Sequence, residues 1–363
     1  MSALSDEVIV DRLDGGPVRI IEVPGPTPSG SEPCTPDIAR YVVGEAVWAP
    51  SVHNTQPWWF SVGSAGLSLY ADPDRQLTVA DPAGREMLIS CGAALFTARL
   101  ALRAVGYFPQ ARILPDPARP LLIARLSWCP GPAATGHERQ LHAQVRQRRS
   151  HRGGFAPLPV AAELLALLRK AADRYGTVLR VIDDEGTRFA LAEVVQDAER
   201  ALRLDGAHVR ERAAWAPSPG SVRDDGVPVT AYPARGERTW PHFPSPDFAR
   251  GRGWGHPPLS IVPGRSAGTV CLLETSSDGP ADWVSAGQAL QRILLTSTAW
   301  GMAAVLHSQP FELGWGREPE SSRPGGRRCP QILLRIGATV QAAGGIRRAP
   351  ESVLFTADEG RAG

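Results

Sequence analysis

The sequence predicts an α+β protein built as two pseudo-symmetric halves, and two observations carry that reading. Helix-period and strand-period segments are interspersed along 363 residues, 43% of them hydrophobic, enough for a substantial core in two domains or one large one. The second observation is an internal likeness. Ser90-Cys91-Gly92-Ala93-Ala94-Leu95 returns 195 positions later as Ser285-Ala286-Gly287-Gln288-Ala289-Leu290, and the same offset carries Gly106 to Gly301. Glycine at positions 92 and 287 would let two helices approach closely at a pseudo-twofold interface. Chance likeness between two Ala/Leu-rich helices is the competing explanation.

The elements follow in order. Residues 24–33, rich in Pro, Gly and Ser, read as a loose lead-in, so 1–36 form a flexible segment and the organised chain starts near Thr35. Thr35 or Asp37 can cap a helix over 38–48. Beyond a polar loop, 58–62 and 67–70 alternate around Gly63-Ser64-Ala65-Gly66, the pattern of a β-hairpin, and Asp81-Pro82-Ala83-Gly84 ends the extended stretch. From 85 to 105 apolar residues recur at helical spacing with no breaker but Gly92, and 121–128 reads as a strand. Helices over 137–148, 160–175 and 185–204 follow, with a strand at 178–182.

The composition then shifts. Residues 205–263 carry many Pro, Gly and Arg with Trp215, Trp240 and Trp254, and show no sustained period. A loop region of this length is usually functional or disordered, and its tryptophans favour an ordered flap. Regular pattern returns as a strand over 269–275, a helix over 282–300 and a strand over 331–336. The first half would span 37–130 and the second 131–354, with 205–263 a lid-like insertion and 355–363 a tail.

A formal charge of +2 gives no global field to draw the chain onto nucleic acid or a membrane surface, so small molecules are the expected partners. The basic residues are nearly all Arg. Lys170, the one lysine, sits in an ordinary amphipathic helix pattern, which sets aside Schiff-base chemistry. Cys34, Cys91, Cys129, Cys271 and Cys329 are odd in number and scattered, with no metal-ligand spacing, so neither a disulfide scaffold nor structural zinc is expected. No secretory signal is visible in residues 1–13, and Arg99 and Arg103 interrupt the most apolar helix. A cytoplasmic protein with no membrane span is the expectation.

The richest segment chemically is Trp48-Ala49-Pro50-Ser51-Val52-His53-Asn54-Thr55-Gln56-Pro57-Trp58. A simple connection between a helix and a strand does not need Ser51, His53, Asn54 and Gln56 together, and Pro50 and Pro57 stiffen both ends. A ligand-binding loop and a well-capped turn explain this spacing equally.

This loop, followed by Asp81-Pro82-Ala83-Gly84-Arg85-Glu86 and Ser90-Cys91-Gly92-Ala93-Ala94-Leu95, resembles the flavin nitroreductase superfamily, over roughly residues 37–354. More narrowly it resembles the Acg-type branch, in which two nitroreductase-like halves are fused in one chain. The resemblance implies a nitroreductase-like fold, with central mixed or antiparallel sheets flanked by helices. It also implies a monomeric pseudo-dimer and an FMN site between the halves. Carried over residue by residue, it places Pro50, Ser51 and Asn54, with Gln56 a weaker candidate, against the isoalloxazine. Neutral amides and hydroxyls suit the hydrogen-bonding edge of that ring.

Arg148-Arg149-Ser150-His151-Arg152 is similar to the family's phosphate element, which implies Arg148, Ser150 and Arg152 as ligands. Guanidinium forks suit a phosphate; a solvated basic face is the bland alternative. Arg347-Arg348-Ala349-Pro350 resembles a second basic pair, with Arg348 the better candidate. The segment 301–310 would lie near flavin N5 and offer contacts from Leu306, Ser308 and Gln309; His307 reads as a satisfied histidine. Pro310-Phe311-Glu312 fits the family's Pro-x-Glu-Gly pattern, but Leu313 stands where Gly is expected.

The function implied is an FMN-dependent oxidoreductase passing hydride through N5 between NAD(P)H and a small organic substrate. Two alternatives stand beside it: a non-catalytic FMN-sequestering protein closed by its lid, and a flavin-dependent dehydrogenase of a biosynthetic intermediate. The residues themselves name no acid or base, and His53 is as well suited to stacking as to proton transfer.

Overall fold

The computed structural model describes residues 35–234, 236–256, 266–316, 328–339 and 345–356. The lead-in at 24–33, Cys34, the end of the Trp-rich region and the chain beyond 356 lie outside the described residues.

Thr35 caps α1 (Pro36–Ala46), its hydroxyl accepting from the Ile38 amide at 3.4 Å. Next come the hairpin of β1 (Trp58–Gly63) and β2 (Gly66–Ala71), then α2 (Arg85–Ala104), β3 (Tyr107–Ile113) and β4 (Leu122–Pro130). The middle of the chain contains α3 (Gly136–Ala143), α4 (Ala162–Asp173), β5 (Val178–Val181), α5 (Glu185–Leu204) and α6 (Gly206–Ala214). The last part contains β6 (Thr269–Thr275), α7 (Pro280–Ala299), β7 (Met302–His307), α8 (Gln309–Glu312), β8 (Cys329–Ala338) and β9 (Leu354–Thr356).

The strands form two sheets, ordered β3-β4-β2-β1-β9 and β5-β6-β8-β7. Read from the other edge, the second is β7-β8-β6-β5, which matches β3-β4-β2-β1 strand for strand. In each, a long helix leaves the third strand and returns to the edge, α2 in the first and α7 in the second. Among the described residues the one parallel pairing of named strands, β1 with β9, makes the first sheet mixed. It brings residues 354–356 beside Phe60, Ser61 and Val62, so the expected tail from 355 begins inside a strand of the first sheet.

The helices α2 and α7 pack against each other at the centre, between a core around the first sheet (Trp58, Phe60, Leu95, Ile123) and one around the second (Leu164, Leu273, Ile293, Leu334). Among the described residues α2 is the one helix long and apolar enough to cross a membrane, and 83% of its apolar window is buried in this core. Asp81 holds its start, Oδ2 accepting from the Met87 amide at 2.9 Å.

Four expectations are corrected. The strands β3 and β7 were not foreseen: both are sheet edges, where no clean alternation marks the chain, and both follow a glycine of positive φ, Gly106 (+88°) and Gly301 (+70°). The segment 301–310 is therefore mostly strand. Helix α3 ends at Ala143 rather than 148, and the chain turns extended so that Ser150 bridges Ala304 of β7. Within 205–263 there is a regular helix, α6, whose cap Asp205 accepts from the Ala207 and His208 amides.

Candidate functional site

The polar loop is strained as well as capped. His53, Asn54 and Gln56 hold φ of +50°, +55° and +50°, a left-handed region costly for residues other than glycine. Ser51 secures it: its carbonyl accepts from the Asn54 amide and its Oγ from the Gln56 amide at 2.9 Å. The capped-turn and ligand-loop readings thus describe one object, a turn stabilised in a conformation that an ordinary connection would not need.

That turn sits where two lobes of a cleft meet. The larger lobe, about 840 Å³ and partly open to solvent, is walled by Pro50, Ser51, Val52 and His53, by Ile89 and Ser90 of α2, and by Leu290 of α7. Leu306 and His307 of β7, Ser308, Phe311 and Ile332 complete its floor, and Ser245, Pro246 and Phe248 close one side. The smaller lobe, about 420 Å³, is lined by Asn54, Arg148, Arg149, Ser150, Arg152, Arg347, Gly226 and Ile346. Pro50, Ser51, Ser150 and Arg152 line both.

The smaller lobe concentrates positive charge. Arg148 is 2% exposed, donates from Nη2 to the Trp48 carbonyl at 3.3 Å, and leaves Nε and Nη1 buried with no acceptor among the described residues. Arg347 leaves its Nε in the same state. Among the described residues none of Arg148, Arg149, Arg152 and Arg347 pairs with a carboxylate. Burial, then the neighbouring Arg149 and Arg152, pulls Arg148 down to about 10, and burial brings Arg152 to about 10 as well, so both stay cationic at neutral pH. Burial and the same cluster push Arg347 well below its ordinary value. Unpaired buried cations are costly, and a multiply charged anion is what such a cluster suits.

Of the residues singled out in sequence, the structure brings Pro50, Ser51, Asn54, Arg148, Ser150, Arg152, Leu306, Ser308 and Arg347 to the cleft wall. Asn54 lines the smaller lobe, its Nδ2 donating to the Gly226 carbonyl at 2.9 Å and the Ile346 carbonyl at 3.3 Å. Three are turned away. Gln56, fully buried, donates to the Asp224 carbonyl and accepts from the Arg348 amide. The Arg348 guanidinium donates to the Gln56 and Ser352 carbonyls, so of the basic pair it is Arg347 that faces the lobe, because successive side chains of an extended segment point opposite ways. Gln309 donates from Nε2 to the Pro244 carbonyl behind the cleft floor.

Three histidines line the larger lobe, His53, His151 and His307, and all are held below the usual range, His151 by burial first. His53 meets Phe248 edge-on at 5.4 Å, and burial first, then Arg212 and Arg152, lowers it to about 3, which makes it a stacking group. His307 accepts at Nε2 from Arg335 Nε at 2.9 Å, and burial with that cation holds it well below the usual range. Leu313 ends α8 at φ −95° and is half exposed, so glycine is not demanded there; Gly314 and Gly316 adopt the positive φ values instead.

The Trp-rich segment is folded over this site. Asn54 and Gly226 exchange hydrogen bonds in both directions, Gln56 holds Asp224, and Asp225 pairs with Arg75 at 3.0 Å. Arg75 and Arg223 flank the Trp215 ring, and Glu211 of α6 accepts from the Val79 and Ala80 amides. A small core of Ala216, Val227, Tyr232 and Phe248 supports it, whereas Trp240 lies exposed against Phe189. Sequence reasoning missed Phe248, Ser245 and Arg149 as lining residues. Arg149 stood beside its predicted neighbours, but no local pattern marks Phe248 or Ser245.

The chain is similar in sequence to known nitroreductases. The model of the nitroreductase family matches residues 145–312. Rv3131 of Mycobacterium tuberculosis, provisionally named an NAD(P)H nitroreductase, is 32% identical over 323 residues, 87% of this chain and 90% of that protein. The protein acg of the same organism, likewise provisionally named, is 27% identical over 310 residues, 84% of this chain and 89% of its own length. Among solved structures, one from Anabaena variabilis with a provisional nitroreductase description covers 83% of this chain and 88% of its own, with 11% identity and a TM-score of 0.40.

Proposed function

This chain belongs to the nitroreductase family, in its Acg-type branch, and we propose that it is an FMN-dependent oxidoreductase working between NAD(P)H and a small organic substrate. One observation carries the reading. Arg148 keeps two N–H groups buried without acceptors inside a lobe that also holds Arg152 and Arg347, and the cofactor's phosphate supplies the missing acceptor. The donor set fits the group: guanidiniums and the Ser150 hydroxyl at the phosphate end, and at the ring end a more apolar lobe in which Ile89, Leu290, Leu306, Phe248 and Phe311 outweigh the charged Glu86 and Arg152.

In this reading FMN supplies hydride acceptance and donation at N5. The chain's own residues bind and shield. Arg148, Arg152, Arg347 and Ser150 hold the phosphate; Pro50 and Ser51 meet the ring edge; Leu306 and Ser308 form the wall of the 301–310 segment. Ile89, Leu290 and Phe248 exclude water from the ring's surroundings. The two halves act as the two subunits of a fused dimer, since the cleft takes walls from α2 of one and from α7 and β7 of the other.

The test is the absorption spectrum of the purified protein and its uptake of FMN on reconstitution. A bound yellow chromophore is expected; a colourless protein that takes up no FMN overturns the reading.

A second reading, FMN sequestration without turnover, has its own support in the hydrogen bonds that fasten residues 224–226 across the loop. Rapid bleaching of the bound flavin by NADPH, followed by reoxidation with a quinone or nitro compound, separates the two: sequestration predicts neither.

A further inference from the structure

Trp48 stands at the turn between α1 and the polar loop and meets the arginines of the smaller lobe in two ways. Its carbonyl accepts from Arg148 Nη2 at 3.3 Å and from Arg347 Nη2 at 3.4 Å. Its ring lies against the guanidiniums of Arg149 and Arg347, 5.1 and 5.5 Å from the ring centre. Arg146 also touches the ring at 5.8 Å, but Glu45 already pairs with it at 2.7 Å. Arg149 and Arg347 have no such counter-ion among the described residues; their other acceptors are the carbonyls of Arg146, Arg148 and Ile346. Gly345 completes the arrangement. A Cβ there would come within 3.3 Å of Arg149 Cδ and 3.4 Å of Arg347 Nη1, so its absence leaves the two guanidiniums room beside each other.

Cations so close repel one another, and something must hold them. A carboxylate would do so, but it would also neutralise them and compete with an incoming anion. An aromatic face attracts a cation through its quadrupole and leaves the charge in place. We infer that Trp48 is the positioning residue of the anion lobe: its ring orients Arg149 and Arg347 and its carbonyl orients Arg148, so that the cluster meets a phosphate monoester undiminished. The inference rests on the proposed FMN site and adds to it a residue that binds no ligand itself.

The experiment compares FMN with riboflavin, which lacks the phosphate, as ligands of the wild-type protein, Trp48→Phe and Trp48→Leu, all stripped of flavin. Every substitution keeps the backbone carbonyl, so only the side chain changes: Phe keeps a smaller aromatic face and Leu has none. Wild type is expected to prefer FMN strongly. Trp48→Leu should lose about tenfold in FMN affinity and Trp48→Phe less, with riboflavin affinity unchanged in both. Equal losses for the two ligands would make Trp48 a packing residue only and overturn the inference, as would unchanged FMN affinity. Should Trp48→Leu fail to fold, Trp48→Phe decides alone by its FMN-to-riboflavin ratio. A wild-type protein that does not distinguish FMN from riboflavin is a different failure: it removes the phosphate site itself, and the inference with it.

Discussion

Gly92 of α2 and Gly287 of α7 touch where the two central helices cross. A Cβ on Gly92 would stand 2.2 Å from the Val284 carbonyl oxygen and 3.1 Å from the Gly287 Cα, and one on Gly287 would stand 1.9 Å from the Ile89 carbonyl oxygen. Backbone atoms oppose each glycine, so no side chain can swing aside to make room. Gly287→Ala should therefore push the helices apart and destabilise the protein by about 1–3 kcal/mol or more. Because Ile89 and Leu290 line the cleft, flavin affinity should fall with it. Urea unfolding checks this, and an unchanged midpoint would refute so close a crossing.

Arg148 should trade stability against binding. Replacing it with Met removes a buried cation that lacks a counter-charge and keeps most of the side-chain volume. The flavin-free protein should gain stability, while FMN affinity should drop by roughly 1.5–3 kcal/mol for each charged hydrogen bond lost. Thermal melts with and without FMN read both effects. Loss of stability in the flavin-free protein would show that the guanidinium is already well satisfied.

Asp81 titrates in an unusual place. Burial, then Glu86, raises its carboxyl from 3.8 to about 7, although the Met87 and Glu86 amides pull the other way. The folded state thus holds this proton more tightly than the unfolded chain does. The resulting stabilisation is complete below pH 3.8 and is lost as pH rises through 7, a change on the order of a few kcal/mol. Asp81→Asn keeps an acceptor for the Met87 amide and removes the titration, so its stability should be flatter than wild type between about pH 4 and 8. Chemical denaturation across that range checks it; parallel profiles would contradict the assignment.

The covering segment should be loosened at Asp225. This carboxylate joins Arg75 at 3.0 Å and Arg223 at 2.7 Å, tying the segment to the chain after β2 and to itself. Asp225→Ala should speed flavin uptake and bleaching by NADPH several-fold, at little cost in melting temperature because both partners are partly exposed. Stopped-flow absorbance gives the rates. If uptake and bleaching keep the wild-type rate, the Asp225 contacts do not limit access.

What could be read from the chain alone was whatever leaves a local, periodic mark. The hairpin of β1 and β2, the start of α2 at Arg85, the strand β6 and the helix α7 all repeat a hydrophobic period over enough residues to be seen without a partner. The likeness at residues 90–95 and 285–290 pointed correctly to a close helix crossing, since only small residues permit one. Arg148 and Arg152 were singled out only through the resemblance of residues 148–152 to the family's phosphate element, since a run of cations by itself reads as readily as a solvated basic face. Elements that borrow their stability from a distant partner left no such mark. The edges β3 and β7 alternate poorly, and β9 has three residues whose pairing partner, β1, lies almost the whole described chain away. Folding also decided which way each polar side chain turned. Arg347 faces the lobe and Arg348 does not, Gln56 and Gln309 direct their amides to backbone carbonyls, and Phe248 reaches the site from far along the chain from Trp48. In irregular backbone no period dictates side-chain direction; it is set by which buried donors and acceptors meet once the segments are packed together.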